Sequence, residues 1–381
     1  MSSSPEPPRA EFRTVGVEEE FLLVRADGEL ADEGDAVVRD AAAADESGQF
    51  EHELKRAQVE IGSAPASDLR SLTADLTRLR RELAVAAADD GARLVASGTH
   101  PTARHPRTTA DERYRRMTET FGMVARQQLT CGMHVHVSVE SPEEGVAVID
   151  RVQPWLPLLT ALSSNSPLRH GEDTGYASYR SVLWGQWPTA GPTPLFGDVA
   201  AYRRLQQGLI ASGAAMDDGM LYFDARLSAH YPTVEIRVAD VCPAARIATA
   251  IAGLARALVE TAAREWRSGE APSGERVELL RARAWRAARW GMAGELIAGP
   301  SARLEPRPAW HCVDELLEHV RDALDDLGDA ATVTAGLAEL RAEGTGAQRQ
   351  RDAYAAGGFG AVLDLLTLAA ADPDDQARNP V

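Results

Sequence analysis

The sequence feature that most constrains the fold is a stretch of strict alternation, CGMHVHVSV, at residues 131–139. Its apolar side chains all fall on one side of an extended chain: Met133, Val135, Val137 and Val139. The opposite side carries His134, His136 and Ser138. A period of two is typical of a β-strand with one buried and one polar face. The stretch therefore predicts a sheet that covers a core and presents two neighbouring imidazoles on its other face.

Two further segments show the same alternation, GVEEEFLLV at 16–24 and TVEIRVADV at 233–241. Charged groups again occupy the side opposite the apolar residues: Glu18, Glu20, Glu235 and Arg237. Glu19 is different, because it falls on the apolar side of its strand. A fourth segment, residues 50–65, supplies Glu53 and Glu60. The polar face of the predicted sheet therefore collects carboxylates, imidazoles and one guanidinium.

Most of the remaining chain has helical periodicity. The predicted helices are 67–91, 111–129, 143–162, 202–213, 244–267, 275–297, 312–343 and 358–371. Strands and helices alternate first, and almost everything after residue 243 is helical. This order predicts an α+β fold, with a mainly antiparallel sheet, helices on one face and a helical C-terminal third. Residues 163–198 are rich in glycine, proline and aromatic residues without a clear period, and we expect a functional loop there.

Composition limits the partners and the compartment. The 57 acidic residues exceed the 40 basic ones and give a net charge of −17, which would repel a phosphate backbone, so nucleic acid is not an expected partner. No apolar run is long enough to span a membrane. Three cysteines without a CxxC spacing indicate a reducing cytoplasm. We expect a disordered tail at residues 1–11, one catalytic domain at 12–371 and a flexible tail at 372–381.

The residues on the polar face indicate a metal–nucleotide site. A simpler interpretation is a solvated face, which antiparallel sheets often have. Solvated faces usually mix lysine, threonine, serine and glutamine, whereas gathered carboxylates repel one another unless a cation lies among them. Oxygen-rich sites suit Mg²⁺ or Mn²⁺, and Arg237 on the same face suggests a polyanion bridged by the metals. Because the sequence has no P-loop and no GxGxxG after a strand, a nucleotide would depend on metals and arginines.

The motifs together resemble the bacterial carboxylate–amine ligase family, the group named glutamate–cysteine ligase 2. The resemblance rests on ordered segments: GVEEEFLLV (16–24), HELKRAQVEIGSAP (52–65), ASGTHP (96–101), ERY (112–114), CGMHVHVSV (131–139), the aromatic stretch 165–192 and VEIRVADVCP (234–243). It covers roughly residues 12–365. Ser138 departs from the pattern, because the family is expected to have glycine there.

The resemblance implies the fold of the glutamine synthetase superfamily, a curved antiparallel sheet that holds ATP and divalent metals. It also implies an ADP-forming ligase that joins the γ-carboxyl of glutamate to a small amine, nominally cysteine. Position by position, it assigns the metal ligands to Glu18, Glu20, Glu53, Glu60, His134 and Glu235. Arg237 would act on the phosphates together with Glu235, and Glu60 would also contact the nucleotide. His136 is a weaker candidate than His134.

The donor substrate needs cationic partners for its carboxylate. Arg180 and Arg169 in the aromatic loop are candidates, because arginine binds carboxylates through two hydrogen bonds, and Tyr179 could form part of the pocket. Two alternatives stay open: a metal-dependent amide hydrolase that uses the same ligands to activate water, and a protein that binds nucleotide or amino acid without turnover. A homodimer is an expectation that no motif tests.

Overall fold

The computed structural model describes residues 13–44, 48–103, 106–300 and 304–370. The tails expected at residues 1–11 and 372–381 lie outside the described residues. Within the described ranges, no helix combines the length and the apolar character needed to cross a bilayer.

A sheet of seven antiparallel strands forms the centre of the described structure. In chain order, the strands are β1 (Val15–Val24), β2 (Phe50–His52), β3 (Gln58–Gly62), β4 (Arg93–Val95), β5 (Gly132–Ser138), β6 (Leu168–Arg169), β7 (Glu172–Asp173), β8 (Ala225–Leu227), β9 (Thr233–Asp240), β10 (Glu295–Leu296) and β11 (Arg307–Pro308). The main sheet has the spatial order β2, β3, β1, β5, β9, β8, and β4 also pairs with β1. β6 with β7 and β10 with β11 form two small separate sheets.

Helices account for most of the rest of the described chain. They are α1 (Gly34–Ala44), α2 (Leu69–Asp89), α3 (Glu112–Phe121), α4 (Met123–Gln127), α5 (Pro142–Val152), α6 (Leu156–Ser163), α7 (Tyr179–Trp184), α8 (Val199–Ala211), α9 (Ala245–Ser268), α10 (Val277–Trp290), α11 (Ala309–His319), α12 (Arg321–Leu327), α13 (Ala330–Glu343) and α14 (Gly346–Leu366). Mixed elements followed by a helical C-terminal third confirm the predicted α+β class.

The helices α2, α5, α6 and α9 contact the central strands and bury their apolar sides. Glu19 lies on this covered face, as its parity predicted, and it is completely buried. Its carboxylate accepts hydrogen bonds from Arg80 of α2, at 2.7 Å from Nε and 2.5 Å from Nη2. These helices cover the apolar face of the sheet, so the carboxylates and imidazoles of β1, β5 and β9 lie on the opposite face.

The C-terminal helices differ from the predicted bounds in three places. The helix expected over 275–297 ends at Trp290, and Glu295–Leu296 form β10. The single helix expected over 312–343 is three helices, and α12 is capped by Gly328, whose φ of +72° suits the left-handed conformation of a helix cap. The helix expected over 358–371 begins earlier, at a capping box in which Thr345 and Gln348 bond each other's backbone. Its glycine pair, Gly357 and Gly358, produces a kink inside α14.

The loop expected over 163–198 contains more regular structure than its sequence suggested. It includes β6, β7 and the short helix α7. Ser178 caps α7 by accepting a hydrogen bond from the backbone N–H of Ser181. Glycine and proline are frequent in this segment, and a helix of six residues is too short to show a helical period in the sequence.

Candidate active site

The strand register brings the predicted polar-face residues together. The cross-strand pairs are Glu20 with Glu60, Glu18 with His134, and His136 with Glu235. Residues that are directly opposite in an antiparallel pair share a face and lie within reach of each other. Four adjacent strands, β3, β1, β5 and β9, therefore present one continuous row of carboxylates and imidazoles.

Glu20, Glu53 and Glu60 form the first group, which we call the acidic triad. One carboxylate oxygen from each lies within 4.8 Å of the others. Burial, with the charge of Glu53 beside it, raises the pKa of Glu20 to about 7. Burial and the charge of Glu53 likewise raise the pKa of Glu60 well above its ordinary value. Carboxylates this close repel as anions unless a cation lies among them, so the donor set fits Mg²⁺ or Mn²⁺.

Glu18, His136 and Glu235 form the second group, the imidazole triad, with ligand atoms again within 4.8 Å of one another. His136 Nε2 lies 3.2 Å from Glu18 Oε1. His136 Nδ1 lies 3.0 Å from the hydroxyl oxygen of Thr233, which holds the ring orientation. Burial acts to raise the pKa of Glu18, but hydrogen bonds from His134 and His136 lower it far below its ordinary value.

His134, the imidazole favoured by the sequence, lies beside the same carboxylates. Its Nδ1 is 3.3 Å from Glu18 Oε2 and 3.9 Å from Glu235 Oε1. The ring is buried, and its Nε2 has no hydrogen-bond partner among the described residues. Burial and the positive charge of Arg237 lower the pKa of His134 to about 4, so the ring is neutral and able to bind a metal. Both imidazoles therefore stand next to Glu18.

Two arginines surround Glu235. Arg226 donates from Nε to Glu235 Oε2 at 2.6 Å, and Arg237 Nη1 donates to Glu235 Oε1. Burial acts to raise the pKa of Glu235, but the charges of Arg237 and Arg226 lower it to about 2. Arg237 also lies over the rings of Trp184 and Tyr222, at 5.6 and 5.9 Å from their centres. The arginines keep this carboxylate ionised and place positive charge next to the two triads.

Two cavities open on this face. The first, which we call the arginine cavity, has a volume of about 220 Å³ and contains the only cations of the two linings, Arg113, Arg226 and Arg237. The second, the glycine cavity, has a volume of about 500 Å³ and a floor that includes Gly16 and Gly62. Both are bordered by Glu18 and Glu60. The row of carboxylates therefore forms the boundary between a cationic compartment and a compartment without arginine or lysine.

The three predicted substrate residues lie outside both linings. Arg180 is 1% exposed, and its Nη2 donates to the backbone oxygen of Arg237 at 3.3 Å. Arg169 lies over the ring of Tyr179, 5.6 Å from its centre. Their role in substrate binding stays a prediction.

Sequence reasoning overlooked two arginines that the structure places in the arginine cavity. Arg226 lies on β8, a three-residue strand too short to produce an alternating pattern, directly opposite Glu235. Arg113 belongs to the ERY motif, whose Tyr114 lines the same cavity. The motif was noticed in the sequence, but nothing in its helical surroundings indicated where the side chains would lie.

Comparison with known sequences gives a consistent result. The model of the Glutamate-cysteine ligase family 2 (GCS2) matches residues 14–364. A Streptomyces avermitilis protein named "Putative glutamate--cysteine ligase 2-1" is 49% identical over 343 residues, which cover 90% of this chain and 94% of that protein. A Frankia alni protein named "Putative glutamate--cysteine ligase 2-2" is 48% identical over 369 residues, which cover 93% of this chain and 96% of that protein.

Solved structures show the same fold at low sequence identity. The glutamate–cysteine ligase of Francisella tularensis in complex with AMP has a TM-score of 0.63 at 13% identity, over 93% of this chain and 87% of that one. The bifunctional glutathione synthetase of Pasteurella multocida has a TM-score of 0.65 at 16% identity, over 93% of this chain and 51% of that one. These likenesses show a ligase fold shared with this chain.

Proposed function

The chain belongs to the glutamate–cysteine ligase family 2, and from this we propose that it is an ATP-dependent ligase that joins the γ-carboxyl of a glutamate-like substrate to a small amine. The products are a γ-glutamyl amide, ADP and phosphate. One observation carries the proposal: the acidic triad, Glu18, His134 and the arginines that hold Glu235 border one cavity.

The chemistry explains why this set of groups is useful. A γ-carboxylate oxygen attacks the terminal phosphorus of ATP, and the bond from that phosphorus to ADP breaks. The amine nitrogen then attacks the acyl carbon, loses a proton, and releases phosphate with the former carboxylate oxygen. Phosphoryl transfer of this kind depends on positioning and neutralisation of charge more than on proton transfer. Arg237 and Arg226 supply fixed positive charge where the transferred group would lie.

The acidic triad and the two carboxylates of the imidazole triad would hold the divalent cations. Glu20, Glu53 and Glu60 fit one ion, since their mutual repulsion is relieved only by positive charge. Glu18 and Glu235, with the neutral ring of His134 as the nitrogen donor beside them, fit a second. Bound Mg²⁺ or Mn²⁺ would neutralise the phosphates of ATP. His136, anchored by Thr233, would then orient Glu18.

The division between the cavities suggests where each ligand lies. The glycine cavity has no arginine or lysine in its lining and suits an uncharged nucleoside. The arginine cavity suits the terminal phosphates and the carboxylates of the donor. Glu18 and Glu60 line both cavities, as expected for residues that lie near the triphosphate where it passes from one cavity to the other. The AMP complex of the Francisella tularensis ligase supports nucleotide use by this fold.

The donor carboxylate has a better-placed partner than those predicted from the sequence. Arg113 lines the arginine cavity, where it is paired with Asp217 at 3.0 Å. Because this ion pair is exposed and weak, Arg113 can leave Asp217 and bind a substrate carboxylate with little loss of free energy. Arg180, Arg169 and Tyr179 would then brace the surrounding loop.

The remaining expectations are part of the same proposal. The three cysteines are free and buried, which suits a reducing cytoplasm. A homodimer remains an expectation. The comparisons give no support to an amide hydrolase or to a binding protein without turnover. No feature of the cavities selects cysteine among small amines.

The experiment is a measurement of ADP release with ATP, Mg²⁺ or Mn²⁺, glutamate and a panel of small amines that includes cysteine. We expect release that depends on both glutamate and one or more amines, and that is lost in Glu235→Gln. The matched control is Glu339→Gln, a partly exposed glutamate on α13 that is paired with Arg246 and lines neither cavity. ATP turnover that needs neither substrate, or none at all, would contradict the proposal.

A further inference from the structure

A third cavity lies between α6, α7, α10 and the end of the β8–β9 pair, with a volume of about 340 Å³. We call it the α10 cavity. None of the residues that line it lines the arginine or glycine cavity. Its charged lining residues are Arg180, Asp224 and Arg281. Tyr176 and Trp285 form an aromatic part of the lining, and Trp285 is half exposed at the protein surface. The cavity therefore combines both signs of charge with an apolar wall.

Asp224 is the one acidic residue among the described residues that line this cavity. Its backbone is fully used, since its N–H donates to Gly191 at 3.1 Å and its carbonyl accepts from Arg237 at 2.9 Å. Its carboxylate makes no hydrogen bond and no ion pair with any described residue, and burial raises its pKa to about 7. Asp224 is partly exposed, so its carboxylate is open to the cavity and is not held by a donor of the described residues. A ligand with N–H donors would supply what is missing.

The cations of the cavity are near Asp224 without bonding it. Arg281 is exposed and has no ion pair among the described residues. Arg180 is buried, and its Nε has no hydrogen-bond partner in the described chain. Both charges act on the carboxylate of Asp224. A molecule with a positive end for Asp224 and a negative end for the arginines would satisfy all three groups at once.

We propose that the α10 cavity binds a free α-amino acid, with its ammonium group on Asp224, its carboxylate on Arg281 and its side chain against Trp285 and Tyr176. This proposal stands whether or not the chain is a ligase. The site adjoins the arginine cavity through α7, because Arg180 of α7 lines one cavity and Trp184 of the same helix lines the other. The guanidinium carbon of Arg180 lies 5.4 Å from the centre of the Trp184 ring.

The test is calorimetric titration of the full chain, without nucleotide, with L-alanine, L-valine, L-phenylalanine and N-acetyl-L-alanine. We expect at least one of the free amino acids to bind and the N-acetyl compound to fail, because it has no ammonium group. Asp224→Asn, which keeps the shape of the side chain, should weaken binding by about tenfold or more. Ala284→Phe, which fills the cavity, should abolish it.

Two controls separate this site from the arginine cavity. Glu235→Gln removes the carboxylate that holds Arg226 and Arg237 of the arginine cavity, and it should leave amino-acid binding in the α10 cavity unchanged. Asp352→Asn removes an exposed carboxylate on α14 and should also have no effect. Binding that is lost in Glu235→Gln and kept in Asp224→Asn would place the amino acid in the arginine cavity and overturn the proposal. The absence of binding by all three free amino acids would overturn it as well.

Discussion

Arg226 and Glu235 face each other across the edge of the main sheet and are joined by two hydrogen bonds, 2.6 Å from Nε to Oε2 and 3.2 Å from Nη2 to Oε1. The third nitrogen of the same guanidinium donates to the carbonyls of Gly219 and Leu221, at 2.9 and 3.2 Å. Arg226 therefore connects the turn before β8 to a carboxylate of the imidazole triad. Only a planar fork of donors can satisfy all of these acceptors.

Arg226→Lys tests this connection. Lysine keeps the charge but cannot bond both oxygens of Glu235 and the two carbonyls. Removing a group that orients a metal ligand typically costs about 10–100-fold in activity, and we expect a fall of that size in kcat/KM for ATP. Arg203→Lys on the exposed side of α8 is the matched control. Equal kinetics in the two variants would show that Arg226 does not orient Glu235.

Gly62→Val tests the assignment of the nucleoside to the glycine cavity. A Cβ atom at this position meets no heavy atom within 4 Å, so the side chain can enter the cavity without disturbing the fold. We expect KM for ATP to rise by about tenfold or more and KM for glutamate to stay the same, measured by ADP release. Gly274→Val in an exposed loop is the control. A variant with unchanged KM for ATP would place the nucleoside elsewhere.

The acidic triad predicts how metal binding varies with pH. The pKa of Glu20 rises from 4.5 to about 7 on folding, so between these values the folded chain binds a proton that the unfolded chain releases. Its contribution to stability is fully present below about pH 4.5 and is lost as the pH rises through about 7. A metal ion replaces that proton, and does so more easily once Glu20 is ionised.

Thermal unfolding with Mn²⁺ measures this effect. We expect Mn²⁺ to raise the Tm more at about pH 8 than at about pH 5.5, since protons compete with the ion at the lower pH. Glu20→Gln should reduce the difference. A larger increase in Tm under acidic conditions would contradict the assignment of the ion to the acidic triad.

The buried ion pair of Glu19 and Arg80 lies on the helix-covered face, so we expect its loss to lower stability although neither residue lies at the candidate active site. Removing one partner of a buried ion pair leaves the other charge uncompensated and typically costs about 3–5 kcal/mol. Glu19→Ala should therefore lower the free energy of unfolding by about that amount in urea titrations. Arg78→Ala removes two partly exposed ion pairs of the same helix and should cost only about 0–1 kcal/mol for each. A similar decrease in the free energy of unfolding in both variants would show that the burial of an ion pair does not determine its contribution to stability.

Alternation in the sequence was sufficient to predict the sheet and the face on which its functional groups lie. β1, β5 and β9 are long enough to show a period of two, so parity alone separated Glu18 and Glu20 from Glu19. Their pairing also placed the two imidazoles opposite carboxylates. These features depend on a backbone period that every strand shares.

Contacts between distant short elements could not be predicted in this way. Arg226 lies on a three-residue strand, and Arg113 reaches the cavity from a helix. The sequence therefore predicted Arg237 for the phosphates and Arg180 and Arg169 for the donor carboxylate, but it did not point to Arg226 or Arg113. Arg180 packs against Gly132, where a Cβ atom would lie 2.1 Å from its Nη2. Only the tertiary packing of α7 on the sheet determines that arrangement.

The most direct test of the central claim follows an oxygen atom from the donor to phosphate. Glutamate labelled with ¹⁸O in its γ-carboxyl group is incubated with the protein, ATP, Mg²⁺ and an accepted amine, and the released phosphate is examined by mass spectrometry. An acyl-phosphate route transfers one labelled oxygen to each phosphate that is released with a γ-glutamyl amide. Unlabelled phosphate would show that water, and not the carboxylate, attacks ATP, and would contradict the account of this chain as a carboxylate–amine ligase.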